Sequence, residues 1–113
     1  MTAEKKATAA IDPRDYPALR EAFRAYLNED WTTEYADSED AARAFRRDAA
    51  QDEALAVAAE AKKLRAAVGG MEVRDLRKLV GAGFGSGWRP STAAEADRVL
   101  RIFGDEQTGA ATR

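Results

Sequence analysis

Tyr16-Pro17-Ala18-Leu19-Arg20-Glu21-Ala22-Phe23-Arg24-Ala25-Tyr26-Leu27 runs directly into Asn28-Glu29-Asp30-Trp31-Thr32-Thr33-Glu34-Tyr35. In the first run Tyr16, Leu19, Phe23, Tyr26 and Leu27 recur at helical spacing, and Arg20, Glu21 and Arg24 fall off that stripe. Pro17 suits a first helical turn, where its missing N–H has no intrahelical partner. Asp15 places a carboxylate at the positive end of the helix dipole. The spacing therefore predicts a helix from about Tyr16 to Asn28. The second run is different in kind. Glu29, Asp30, Glu34, Asp37, Glu39 and Asp40 occur with no Lys or Arg between Asn28 and Ala42. Such a segment is poor material for a core and good material for a surface that faces a partner.

Outward from this stretch, every patterned segment has helical periodicity. A second helix is predicted to start after Asp37 or Ser38, either of which can cap it. Glu39 and Asp40 fall in its first turn, and Ala41, Ala42, Phe45 and Ala49 form its slender apolar face. The alanine-rich run from about Asp52 to Val68 carries Ala54, Val57, Ala61, Leu64 and Val68 at near-heptad spacing, then meets Gly69-Gly70 as a stop. A fourth helix, from about Glu72 to Val80, shows Val73, Leu76, Leu79 and Val80 on one face. A fifth follows Pro90. There Thr92 with Glu95 three residues on fits a capping box, and Ala96, Val99, Leu100 and Phe103 form the buried face. No stretch sustains period-two alternation. The expected fold is all-α, a single-domain bundle of about five short helices. Its expected limits are an ordered domain over 11–103, a mobile polar tail over 1–10 and a flexible tail over 104–113. With so much of the apolar content supplied by alanine, the expected core is thin.

Composition removes much chemistry. The chain has 113 residues, suited to one domain. It contains no cysteine, which excludes disulfides and thiolate metal sites, and no histidine, which removes the commonest general base and metal ligand. Catalysis would have to rest on carboxylates alone, and none of them is paired in a way that marks an acid and a base. No catalytic residue, cofactor or metal is assigned. The acidic run lacks the Asp/Asn alternation around glycine of a calcium loop. No apolar run approaches the ~18 residues of a membrane span, and no apolar run follows Lys5-Lys6 as in a secretory signal. The expectation is a cytoplasmic protein without membrane contact. Arg43-Arg46-Arg47, Lys62-Lys63-Arg65 and Arg74-Arg77-Lys78 alternate with acids instead of forming a continuous basic stripe, so they are expected to be solvated faces with local ion pairs. No nucleic-acid partner is expected. Gly81-Ala82-Gly83-Phe84-Gly85-Ser86-Gly87 follows a helix instead of a strand and contains no Gly-Lys-Ser/Thr. It is expected to be a helix stop and flexible turn that tucks Phe84 or Trp88 onto the core.

The order Tyr16-Pro17, Leu19, Phe23, Tyr26 and Asp30-Trp31, then Glu39-Asp40-Ala41 and Phe45, resembles the immunity proteins of contact-dependent growth inhibition, in their small helical form. The resemblance is carried mainly by the first half of the domain. In the second half Gly83-Phe84 stands where the family has Gly-Tyr, and Ala96 and Val99 stand where its last helix has tryptophan. What the resemblance implies is a bacterial, cytoplasmic, non-enzymatic antitoxin, monomeric when free. Its partner would be the toxin domain encoded beside it, and many such toxins are nucleases. Glu29, Asp30, Trp31, Glu34, Tyr35 and Asp37 are the candidate partner-binding residues, rigid aromatics inside an acidic rim. Trp31 and Tyr35 also fit the role of caps on the core. A helical adaptor module with an unrelated partner, and a small carboxylate-only enzyme, remain as alternatives.

Overall fold

The computed structural model describes residues 11–105; the tails expected over 1–10 and, from residue 106 on, over 104–113 lie outside the described residues. A 3-10 turn, Pro13–Asp15, opens the described chain, with Asp12 accepting from the Arg14 N–H at 2.9 Å. Six helices follow: α1 (Pro17–Tyr26), the single turn α2 (Trp31–Glu34), α3 (Ser38–Asp48), α4 (Gln51–Ala67), α5 (Val73–Lys78) and α6 (Ala93–Phe103). No strand occurs among the described residues, so the fold is all-α. The five expected helices are all present. Two further helical pieces were not expected: α2, inside the acidic stretch, and a π-helical turn, Leu79–Gly83, that prolongs α5 through the first two glycines. The glycine run therefore does not stop the helix at Gly81 as expected.

The ends follow local chemistry. Asp37 caps α3 by accepting from the Asp40 N–H at 2.8 Å, and Thr92 caps α6 by accepting from the Glu95 N–H at 3.0 Å. α1 is capped from a distance. Tyr16 supplies no side-chain acceptor, and the Leu19 N–H donates instead to Glu60 Oε1 of α4 at 2.8 Å. The orphan donor of the first turn is thus satisfied by a helix packed against it.

α6 lies against α3 and α4, and α1 packs on α4 and α3, so α1 and α6 share the centre of the bundle. The predicted stripes point inward: Leu19, Phe23 and Leu27 of α1, Ala41, Ala42 and Phe45 of α3, Val57, Ala61 and Leu64 of α4, and Val99, Leu100 and Phe103 of α6 are all buried. The core is not thin. All four phenylalanines and Trp88 are almost wholly shielded from solvent. Phe23 is the hub, with ring centroids 5.1 Å from Phe84, 5.6 Å from Trp88 and 5.4 Å from Phe103. The last two are edge-on contacts of the kind aromatic rings favour. Small alanines on α3 and α4 let the helices approach closely enough for these rings to fill the space between them.

The arginines expected on solvated faces also tie helices together. Arg46 Nη1 donates to the Ala54 and Phe103 carbonyls, 3.3 Å each, and its other terminal nitrogen reaches the Asp105 carbonyl. It joins α3 to the start of α4 and the end of α6. Arg65 of α4 pairs with Asp97 of α6 at 2.7 Å. Gly104, the first residue of the segment expected to be a tail, is buried as the cap of α6.

Phe23→Ala should cost about 3–5 kcal/mol, the range for truncating a buried phenylalanine. Chemical denaturation followed by circular dichroism measures it, and a variant as stable as the native chain would show that the core is centred elsewhere.

Candidate partner-binding surface

The acidic segment is ordered by backbone bonds that leave its carboxylates outside. α1 closes at Leu27, whose N–H donates to Phe23 at 2.7 Å. Asn28 Oδ1 then accepts from the Asp30 N–H at 2.8 Å, the side-chain mimic of a turn for which asparagine is suited. The Trp31 N–H bonds the Asn28 carbonyl, and Thr33 Oγ1 donates to the Asp30 carbonyl at 2.8 Å. These bonds build α2 without recruiting the side chains of Glu29, Asp30 or Glu34. Those three and Asp37 are exposed, while Trp31 and Tyr35 are half-buried and pack on the core.

The six acids of the run separate into two groups. Glu39 accepts from Arg98 at 2.8 Å and lies 3.5 Å from Arg43, and Asp40 pairs with Arg43 at 2.8 Å. Asp37 is the α3 cap. Glu29 and Asp30, by contrast, have no side-chain hydrogen bond or ion pair among the described residues, and Glu34 has none beyond its field on Tyr35. The unneutralised charge lies on the connection and on α2.

The two candidate aromatics face different neighbours. The Trp31 indole N–H donates to the Gly87 carbonyl at 3.3 Å. Tyr35 stacks on Tyr26, centroids 6.3 Å apart at 29°, and Tyr26 meets Phe45 edge-on at 5.7 Å. Burial raises the Tyr35 hydroxyl pKa, and the carboxylates of Glu34 and Asp48 add to it; burial likewise raises Tyr26, with Asp48 and Glu53 adding. Tyr26 and Asp48 thus join the aromatic and acidic character of this face. In sequence Tyr26 reads as core, and Asp48 reads as one acid among the arginines of α3; only the Tyr26–Tyr35 contact unites them.

The glycine run forms the adjoining wall. Gly87 lies so close to the end of α1 that a β-carbon there would sit 2.6 Å from Glu29 Cα and 2.7 Å from the Asn28 carbonyl oxygen. Its N–H donates to the Leu27 carbonyl at 2.7 Å. Gly85, two residues earlier, turns the chain with φ +74°, where glycine carries no steric penalty. The N–H groups of Phe84, Gly85, Ser86 and Gly87 all bond backbone carbonyls, and that of Trp88 bonds Ser86 Oγ. None is left to cradle a phosphate, which excludes the phosphate-loop alternative on geometry. Behind the turn the Trp88 indole N–H reaches Glu95 Oε2 at 3.2 Å. Glu95 also accepts from the Ser38 hydroxyl and from the Ser91 N–H at 2.7 Å. Burial pushes the Glu95 carboxyl pKa up, but the bonds from Ser38, Ser91 and Trp88 outweigh it and hold the pKa below the ordinary value. Between the turn and Glu29 lies an open cleft of about 690 Å³, with Arg77, Lys78 and Arg89 on its walls. No group of three or more acids among the described residues is arranged to hold a metal ion, and no described helix is long and apolar enough to cross a membrane.

The outer face of the helical bundle thus presents an ordered acidic segment beside two half-buried aromatics. The model of the CdiI immunity proteins matches residues 15–101, and the chain belongs to that family. The match spans the second half of the domain as well as the first. Membership points to an antitoxin role and implies a cognate toxin protein as partner. No curated protein and no solved structure shows a significant match.

Two outcomes follow from this geometry. Gly87→Ala forces backbone apart from backbone, and should cost about 1–3 kcal/mol by overpacking, read as a lower melting temperature. The Glu95 pKa is depressed on folding, so its stabilisation is complete above the ordinary glutamate value of 4.5 and is lost as pH falls through the lower folded value. Denaturation at a series of pH values should show stability nearly flat from about pH 6 to 8, because histidine is absent, and a decline on the acid side. A Glu95→Gln variant should be less stable than the native chain near neutrality, with the gap narrowing towards acid pH.

Proposed function

We propose that this chain is a monomeric antitoxin, with its immunity domain over 11–103, that neutralises the contact-delivered toxin domain encoded beside it by binding it. The contact surface is the rim of Glu29, Asp30, Glu34 and Asp37 around Trp31 and Tyr35. The observation that carries this reading is the set of exposed carboxylates at Glu29, Asp30 and Glu34, which take no part in ion pairs among the described residues and stand beside half-buried rings. Like charges held together on a folded surface repel one another and add nothing to the stability of the free domain. They favour association with a positive surface, where they steer encounter and set orientation. The rings supply what charge cannot, a preorganised apolar contact that costs little side-chain entropy when a partner covers it. The role is one of binding and not of catalysis.

A basic toxin surface is the complement this rim requires. A nuclease has such a surface, since it must hold phosphates. Carboxylates spaced along Glu29–Asp37 would occupy it as phosphates do, which makes a nuclease the toxin class proposed here.

Charge and ring should fail differently in binding kinetics with the toxin domain. Glu29→Gln with Glu34→Gln should mainly slow association and weaken its dependence on salt. Trp31→Ala or Tyr35→Ala should mainly speed dissociation, by ~2 kcal/mol or more for whichever ring is the anchor. A double glutamine variant that associates as fast as the native protein at low salt, and still protects cells from the toxin, would remove the acidic surface from the interface.

A further inference from the structure

Arg24, Lys78 and Arg89 stand apart from the other described cations. Arg14, Arg43, Arg47, Arg65, Arg74, Arg98 and Arg101 are in ion pairs. Arg46 and Arg77 are held by carbonyls, Lys63 lies over the Tyr16 ring, Arg20 acts on Asp12, and Lys62 is engaged as well. Arg24, Lys78 and Arg89 alone have no such partner among the described residues, and all three are exposed. They are also neighbours of one turn. Lys78 and Arg89 line the cleft beside the glycine run, and Arg24 Cδ lies 3.9 Å from where a β-carbon on Gly85, itself on the cleft wall, would sit.

The cleft is a built feature. Arg77 braces it by donating to the Pro90 carbonyl at 2.7 Å and the Ser91 carbonyl at 3.2 Å, and Gly87 is locked to Leu27 at its edge. Its polar backbone is already spent, since the turn's N–H groups and Ser86 Oγ bond within the chain. What it offers a ligand is positive charge on exposed side chains, with no N–H cradle for a compact phosphate. That suits carboxylates arriving on side chains of a protein. Glu29 stands on the same cleft and begins the acidic rim. The unpaired cations and the start of the acidic rim therefore meet along one seam.

We infer that this cleft is the second half of the toxin-binding surface. It receives Asp or Glu side chains of the toxin, carried on a segment that adjoins the basic region facing Glu29–Asp37. The inference rests on the toxin-binding reading and adds a contact of opposite sign to it. A surface with both signs fixes the orientation of the partner, because a reversed toxin would set like charges against each other along the whole seam.

The test uses the full chain and the toxin domain encoded beside it. K78E with R89E should weaken binding by about tenfold or more, while its melting temperature stays near that of the native chain because neither residue has a side-chain partner among the described residues. Carbodiimide coupling of the native complex, which joins an amine directly to a carboxylate, should yield a peptide linking Lys78 to a toxin Asp or Glu. K78R should keep the affinity and lose that cross-link. Unchanged binding by K78E/R89E alongside weakened binding by E29Q/E34Q would overturn the cleft inference and leave the acidic surface standing. Unchanged binding by both would overturn the two together. Binding of a short single-stranded oligonucleotide by the native chain, lost in K78E/R89E while toxin binding is kept, would assign the cleft to nucleic acid and overturn the inference.

Discussion

The approach of Gly87 to the end of α1 is the constraint on which the rest of the candidate face depends. Two stretches some sixty residues apart in sequence meet there backbone to backbone, with the Gly87 N–H on the Leu27 carbonyl and no room for a β-carbon. On the inner side of the contact, Trp88 and Phe84 are carried into the core against Phe23. On the outer side, the Gly87 carbonyl takes the Trp31 indole N–H and so positions α2. The same few atoms thereby set the aromatic centre of the bundle and the placement of the acidic segment. A small domain gains from such economy, because each ordered residue loses conformational freedom and few contacts are available to offset it.

Around that contact, charges divide by whether the fold uses them. Glu60 caps α1, Glu95 gathers Ser38, Ser91 and Trp88, and Arg46 and Arg77 satisfy carbonyls of neighbouring segments. The pairs of Arg43, Arg65 and Arg98 are partly exposed and are worth little each, but they cancel charge between the helices that carry them. Beside the Gly87 seam, Glu29, Asp30 and Glu34 on one side and Arg24, Lys78 and Arg89 on the other have no ion pair among the described residues. A net charge of -2 conceals this separation, since the two groups largely offset each other in the total.

The helices were legible in the sequence wherever one face repeated at a helical period. Leu19-Phe23-Leu27, Val57-Ala61-Leu64 and Val99-Leu100-Phe103 are buried as their spacing predicts, and the caps at Asp37 and Thr92 lie where short polar residues precede an apolar run. What was not legible comes from contacts between distant segments. The cap of α1 by Glu60 crosses 41 positions and leaves no mark on the local pattern. The π-helical turn runs through Gly81 and Gly83, residues that argue locally for a stop. In the candidate surface, the exposure of Glu29, Asp30 and Glu34 was readable, because no cation and no helical period competes for them. The setting of the two aromatics was not. Trp31 depends on Gly87, and Tyr35 depends on Tyr26, whose outward ring joins the same stripe as the buried Phe23.

That division between fixed rings and exposed charges bears on how such a surface would operate. Trp31 is held by a hydrogen bond and by core packing, and Tyr35 by a stacked neighbour, so neither has much freedom to lose when covered. Glu29, Asp30 and Glu34 are exposed, and no side-chain hydrogen bond or ion pair among the described residues fixes them. Charges of that kind act at a distance of about a Debye length, ~8 Å at physiological salt, and contribute chiefly to encounter. Preorganised rings act on contact and contribute chiefly to residence time. An antitoxin acting through such a surface would need both, rapid capture and slow release. The Gly87 contact supplies the rigidity for the second without ordering the side chains that serve the first.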